Sequence, residues 1–282
     1  MVKQKIPTQP TILHDLSGLL ELRILDVIQQ AQGRGGGQRS NVYVVEARRS
    51  VQSTARKSSR PRDHIQQGRA WVLKTFPPGA LNDDLFRREL GANAELERSN
   101  ASPSPAEAVD NFFQPPDVTD RRWWPKCFGT LCFPRTNIDE GRNWFSTGSQ
   151  RHDTTHRCLL FEYIPNLKPL TNDLIDDRVA TGFKNIVAKL HALNVVHNDH
   201  VDRSAWPEIR FGNVFIRPDP DTGLNEPFIL DFNRARVVGD SPRDETLKEE
   251  ERTWLDDLLT RVLAGKLAVD HIPREVQKLL KS

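Results

Sequence analysis

Residues 195–233, VVHNDHVDRSAWPEIRFGNVFIRPDPDTGLNEPFILDFN, decide how this chain is read. They follow a segment, Asn172 to Asn194, in which Leu174, Val179, Phe183, Ile186, Val187, Leu190 and Leu193 share one helical face, so a buried amphipathic helix is expected there. His197-Asn198-Asp199 stands at its end. Asn213 stands just ahead of Val214-Phe215-Ile216, and Asp231-Phe232-Asn233 just after Phe228-Ile229-Leu230, so the two later motifs flank a short strand pair that turns between Asp219 and Asn225. One carboxylate to orient or deprotonate a hydroxyl, then an amide and a second carboxylate able to hold magnesium, is the set that phosphoryl transfer calls for.

Working outward, AWVLKTF at 70–76 has the apolar, β-branched character of a strand and delivers Lys74 near its end. Residues 82–98 open with Asn82 and Asp83, favourable for an N-cap and a first turn, and continue with good helix formers that include Glu89. The order suits a lysine and glutamate that pair. Further upstream, Gly35 and Gly37 with Ser40 and Val42 fit a G-x-G-x-x-[GS]-x-V loop running into the strand NVYVVEA, where missing β-carbons let backbone amides approach phosphates. Taken singly, a glycine turn, a surface lysine and a solvated glutamate explain each of these equally well.

Taken in order, HND, the later Asn213 and DFN resemble the H-R-D-x-x-x-x-N and D-F-G pattern of the protein-kinase-like superfamily, over residues 28 to about 265. The resemblance implies an α+β, two-lobed fold with a mainly β N-lobe over 1–165 and a short, mainly α C-lobe over 166–282. It implies ATP and Mg2+ as cofactors, with Asp199 as base, Asn213 and Asp231 as magnesium ligands, Lys74 as the phosphate clamp and Glu89 as its orienting partner. The nucleotide would also meet Gly35, Gly37, Ser40 and Val42. Phe161, in the strand RCLLFEYI, is similar to the gatekeeper, and the backbone from Glu162 to Ile164 would hold adenine.

The chain departs from the pattern at several points. Asn198 replaces the arginine of H-R-D, thirteen residues separate Asp199 from Asn213 where the family has four, and Asn233 replaces the glycine of D-F-G, a position where Asn tolerates left-handed backbone. If the inserted residues do not loop out, Asp202 stands in for Asp199 near the acceptor. No A-P-E follows Asp231, so the substrate-docking part of the C-lobe is reduced, with Trp254 to Leu259 as the helix that props the catalytic loop. The expected activity is transfer of the γ-phosphate of ATP to a hydroxyl of a protein or small molecule. The rivals are a pseudokinase interaction module without turnover and an aminoglycoside-phosphotransferase-like enzyme whose acidic acceptor pocket would draw on Asp199, Asp202 and Glu208.

Elsewhere the sequence is less specific. Residues 12–30 read as a short helix running into a strand, KCFGTLCF and RCLLFEYI as a hairpin with a long loop, and Thr246 to Leu263 as a tail helix followed by another from Pro273. Segments 48–69 and 99–120, rich in Ser, Arg and Pro, read as disordered inserts. Forty basic against thirty-eight acidic residues leave a net charge of +2, which is not the footprint of a dedicated nucleic-acid binder. Three cysteines without paired spacing point to a reducing compartment. The absence of a long apolar run predicts a cytoplasmic or nuclear protein with no membrane partner. His152 and His156 have metal-ligand spacing but are expected to be solvated loop residues, and His197 and His200 flank Asp199, with a structural role expected for His197.

Overall fold

Leu20, Leu22 and Ile24 alternate with Glu21 and Arg23, and this period of two prevails over the helix expected ahead of it. Leu20–Gln29 is strand β1, entered through a turn at 17–19. The computed structural model describes residues 13–29, 40–50, 69–98, 122–134, 145–147, 155–199, 211, 213–219 and 222–265. The chain divides into two units, Met1–Tyr163 and Ile164–Ser282.

In the first unit, β1 is followed by β2 (Asn41–Arg49), β3 (Ala70–Phe76), helix α1 (Ala80–Leu96), β4 (Cys127–Pro134), β5 (Phe145–Ser146) and β6 (Thr155–Glu162). They form one antiparallel sheet in the order β4-β6-β3-β2-β1-β5. The expected hairpin of KCFGTLCF and RCLLFEYI is there as β4 and β6, and the two-residue β5 lies in the connection read as loop. Alternation splits the side chains between two faces. Leu20, Leu22, Tyr43, Val45, Trp71, Leu73, Leu131, Cys158 and Leu160 form one core, while Phe76, Phe86, Cys127, Leu159 and Phe161 form the other, on the face that α1 covers. Because β6 is buried on both faces, its sequence CLLF is continuously apolar rather than alternating.

The outer side of β4 is met by the N-terminal segment: the Leu16 amide donates to the Thr130 carbonyl at 2.8 Å, and the Thr130 amide to the His14 carbonyl at 2.8 Å. Gly129 allows this approach. Its φ is +150°, and a β-carbon there would lie 2.4 Å from the His14 carbonyl oxygen.

In the second unit come β7 (Lys168–Pro169), a 3₁₀ turn at Asn172–Leu174, α2 (Asp177–Ala192), β8 (Val195–Val196), β9 (Val214–Pro218), β10 (Asn225–Ile229), β11 (Arg236–Val237) and α3 (Pro242–Leu263). The strands form two antiparallel sheets, β10-β9-β7 and β11-β8. Asp176 caps α2 by accepting the Val179 amide at 2.7 Å. Val179, Phe183, Ile186, Val187 and Leu190 are buried as the apolar stripe requires.

Some boundaries differ from expectation. Gly79, not Asn82, occupies the N-cap of α1, and Asn82 is buried in its first turn. Arg48 and Arg49, expected in an insert, belong to β2, because Arg48 finds a cross-strand partner in Glu21 at 2.7 Å. Helix α3 begins at Pro242 rather than Thr246, since Ser241 supplies the cap. The glycine cluster at 33–37, residues 51–68, the 99–120 segment, Asp202, Glu208, His152, His200 and the tail from Pro273 lie outside the described residues. Among the described residues no helix is long and apolar enough to cross a membrane.

Candidate functional site

Strand β3 alternates Trp71 and Leu73 toward one face with Val72, Lys74 and Phe76 toward the other. Lys74 is thereby carried into the face that α1 covers, where its side chain is 6% exposed. Its Nζ lies 2.6 Å from Oε2 of Glu89, which is 2% exposed and projects from α1. Lysine and glutamate are seldom buried unless paired, so the pair explains how both sit among Phe76, Phe86 and Leu159. The register sets Val42 of β2 directly across from Lys74, and Val44 across from Val72. Val42, Val44 and Val72 are half-buried, so a partly open apolar strip lies beside the lysine. Ser40 is buried at the start of β2, while Gly35 and Gly37 fall outside the described residues.

On β6, Phe161 stands across from Val72 and is buried. The Glu162 amide donates to the Lys126 carbonyl at 3.0 Å, so its N–H is taken up by the segment leading into β4. Ile164 is half-buried and opens the second unit.

The second unit assembles the remaining residues. The Asn213 Nδ2 donates to the Asp199 carbonyl at 2.7 Å and to its Oδ2 at 3.2 Å. The long insert thus leaves Asn213 in contact with Asp199. Arg234 Nη1 reaches the other carboxylate oxygen, Oδ1, at 3.2 Å. Asp231 has φ 59° and accepts the Asn233 amide at 3.2 Å, a tight local turn that fixes its carboxylate. His197 is fully buried and packs edge-on against Phe232 with ring centroids 4.9 Å apart. The Asp199 amide donates to His197 Nδ1 at 3.3 Å, so Nε2 carries the proton and donates to the Leu230 carbonyl at 3.1 Å. His197 therefore ties the Asp199 segment to the strand leading into Asp231.

Helix α3 supplies a fixture that sequence reasoning missed. Glu251 accepts the Asn198 amide at 2.7 Å and the His197 amide at 3.3 Å, and its Oε2 lies 2.7 Å from His191 Nε2 of α2. Lys248 Nζ donates to the Asn194 side chain at 3.3 Å. Asn194 and Asn198 both have left-handed backbone, φ 60° and 61°, and the two α3 side chains grip the segment at those positions. The helix expected to prop this loop is the right one, but the residues that reach it precede Trp254 by one to two turns. The signal was the helical phase: Lys248 and Glu251 share the stripe of Leu255, Leu258 and Leu259, all buried.

His156, expected in solvent, is buried on β6. Among the described residues no group of three or more His, Cys, Asp or Glu is arranged to hold a metal. Asn213 and Asp231 are brought near one another along the backbone, the Leu230 amide donating to the Asn213 carbonyl at 2.9 Å. One carboxylate and one amide suit magnesium that arrives with phosphate oxygens and water, which rarely uses an all-protein cage.

No model of a protein family matches the chain, and no curated protein matches it. Among solved structures the chain is similar to the Cydia pomonella granulovirus kinase PK-1, at 13% identity over 91% of this chain and 74% of that one, with a TM-score of 0.40. A likeness at that score carries no argument about activity.

Proposed function

We propose that the chain is a kinase-like phosphotransferase that binds ATP with magnesium and passes the γ-phosphoryl group to a hydroxyl acceptor. The observation that carries this reading is the buried Lys74–Glu89 pair, 2.6 Å apart with side chains 6% and 2% exposed. Ion pairs buried this deeply contribute little net stability, because desolvation offsets their attraction, and are retained where the charge is used. Lys74, oriented by Glu89, would bind the α- and β-phosphates as a point charge.

In the second unit, Asn213 and Asp231 would hold the magnesium, whose charge offsets that of the triphosphate when bound. Asp199, fixed by its bonds to Asn213 and Arg234, would orient the acceptor hydroxyl and take its proton. His197 and Glu251 steady that carboxylate through bonds to the backbone amides of Asp199 and Asn198.

The test is the thermal stability of the chain with ATP, with and without magnesium, in wild type and in Asp231→Ala. Ligand at a hundred times its Kd stabilises by about 2.7 kcal/mol. A magnesium-dependent shift in wild type that Asp231→Ala abolishes supports the reading. No shift at saturating nucleotide overturns it and leaves a scaffold without turnover.

A further inference from the structure

The contact that Arg234 makes with Asp199 is open to solvent, and it bears on the acceptor as well as on the carboxylate it holds. Arg234 sits in a turn whose ends are anchored. Phe232 and Ala235 are 2% and 1% exposed, the Ala235 amide donates to the Phe232 carbonyl at 3.0 Å, and β11 then pairs with β8 through Arg236 and Val196. The turn therefore points Arg234 outward in a fixed place. Its side chain is 64% exposed while touching a carboxylate that is 22% exposed. A pair this open contributes at most about 1 kcal/mol to stability, so stability does not account for it.

The two oxygens of Asp199 are divided between unlike partners. Oδ2 faces Asn213, the candidate metal ligand, and Oδ1 faces Arg234. Both groups are open to solvent, the guanidinium more than the carboxylate. One Arg234 nitrogen, Nη1, bonds Asp199; a guanidinium carries five N–H groups in a planar fork, which suits a second carboxylate or a phosphate. Arg236 follows after the buried Ala235 and is exposed, adding a second cation along the same segment.

We infer that Arg234, seconded by Arg236, selects the acceptor, and that the acceptor carries a carboxylate or phosphate close to the hydroxyl presented to Asp199. The inference rests on the phosphotransferase reading for the identity of that hydroxyl. It predicts binding that the charge at position 234 controls.

The experiment measures binding directly, by calorimetry in low salt with the full chain. Probes are a seryl peptide with aspartates beside the serine, the same peptide with lysines there, glycerol 3-phosphate and glycerol. Wild type is expected to prefer the acidic peptide over the basic one, or glycerol 3-phosphate over glycerol, by about tenfold, and the stronger of the two identifies a peptide or a small-molecule source. Arg234→Glu is expected to reverse the preference between peptides, and Arg234→Lys to keep it in weakened form. Unchanged melting of the variants excludes misfolding. Equal binding of acidic and neutral or basic probes by wild type, no binding of any probe, or a preference that ignores Arg234→Glu overturns the inference. Nucleotide-dependent stabilisation of wild type, measured in parallel, reports separately on the phosphotransferase reading.

Discussion

Replacing Lys74 by Met leaves Glu89 charged, almost fully buried and without the ammonium that lies 2.6 Å away. At an effective dielectric constant near 20 the lost attraction is about 6 kcal/mol. The desolvation of both ions offsets most of this in the intact pair, so the pair as a whole adds little. The orphaned ion is different: removing one partner of a buried pair costs about 3–5 kcal/mol. Glu89→Leu should cost a similar amount by stranding Lys74. The double variant, with two apolar side chains of similar volume beside Phe76, Phe86 and Leu159, should recover to within about 1 kcal/mol of wild type or exceed it. Denaturant unfolding followed by circular dichroism gives the four free energies and their coupling. Nucleotide stabilisation measured on the same proteins separates structure from function, because the double variant should recover stability and still show no ATP-dependent shift. Additive single costs would refute the account of the pair, and an ATP shift retained by the double variant would refute the role of Lys74.

Three further outcomes are expected. Glu251→Ala removes the acceptor of two backbone amides and the partner of His191, and should cost about 2–4 kcal/mol in denaturant unfolding, with Glu251→Gln milder because one oxygen remains. Burial pushes the Cys127 and Cys158 thiols well above their ordinary range and Cys132 up less, so iodoacetamide at pH 8 should label native protein slowly at Cys132 alone of the three, as peptide mass spectrometry would show. At the start of α3, the Ser241 hydroxyl and then the Gly239 amide hold the Asp244 carboxyl below its usual range. A depressed carboxyl contributes stability above its unfolded value and loses it as pH falls through the native one. Ser241→Ala should therefore lower the melting temperature at neutral pH and narrow the difference from wild type under acid.

The sequence was most legible where a motif coincided with a strand end. Lys74 and Glu89 meet because β3 and α1 are adjacent in the chain and each has a clear period, and Asn213 reaches Asp199 because β9 begins at the next residue. Period also misled: Leu13, Leu16, Leu19 and Leu20 have helical spacing, yet the Leu16 amide donates to the carbonyl of Thr130 and the His14 carbonyl accepts the Thr130 amide, a partner more than 110 residues away that no local pattern reveals. Glu251 was hidden among Glu245, Glu249 and Glu250, which are exposed on the same helix. Only its phase with Leu255 and Leu258 distinguishes it. Arg234 carries no motif of its own, and its meaning comes from the turn that aims it at Asp199.

The strand order of the first sheet also bears on the timing of folding. Strand β6 lies between β3 and β4, and its pairing of Leu159 with Lys74 spans about half of the first unit. Closing so long a loop costs entropy that only the completed ladder returns, which slows folding. During synthesis β1, β2 and β3 can assemble early as a meander, but one edge of the lysine-bearing strand stays open until Glu162 has emerged. In that interval a half-apolar strand edge is exposed to neighbours, the situation in which nascent chains aggregate. Slow translation between Phe76 and Thr155 would prolong it, so the yield of folded protein should depend on elongation rate across that interval more than across the second unit.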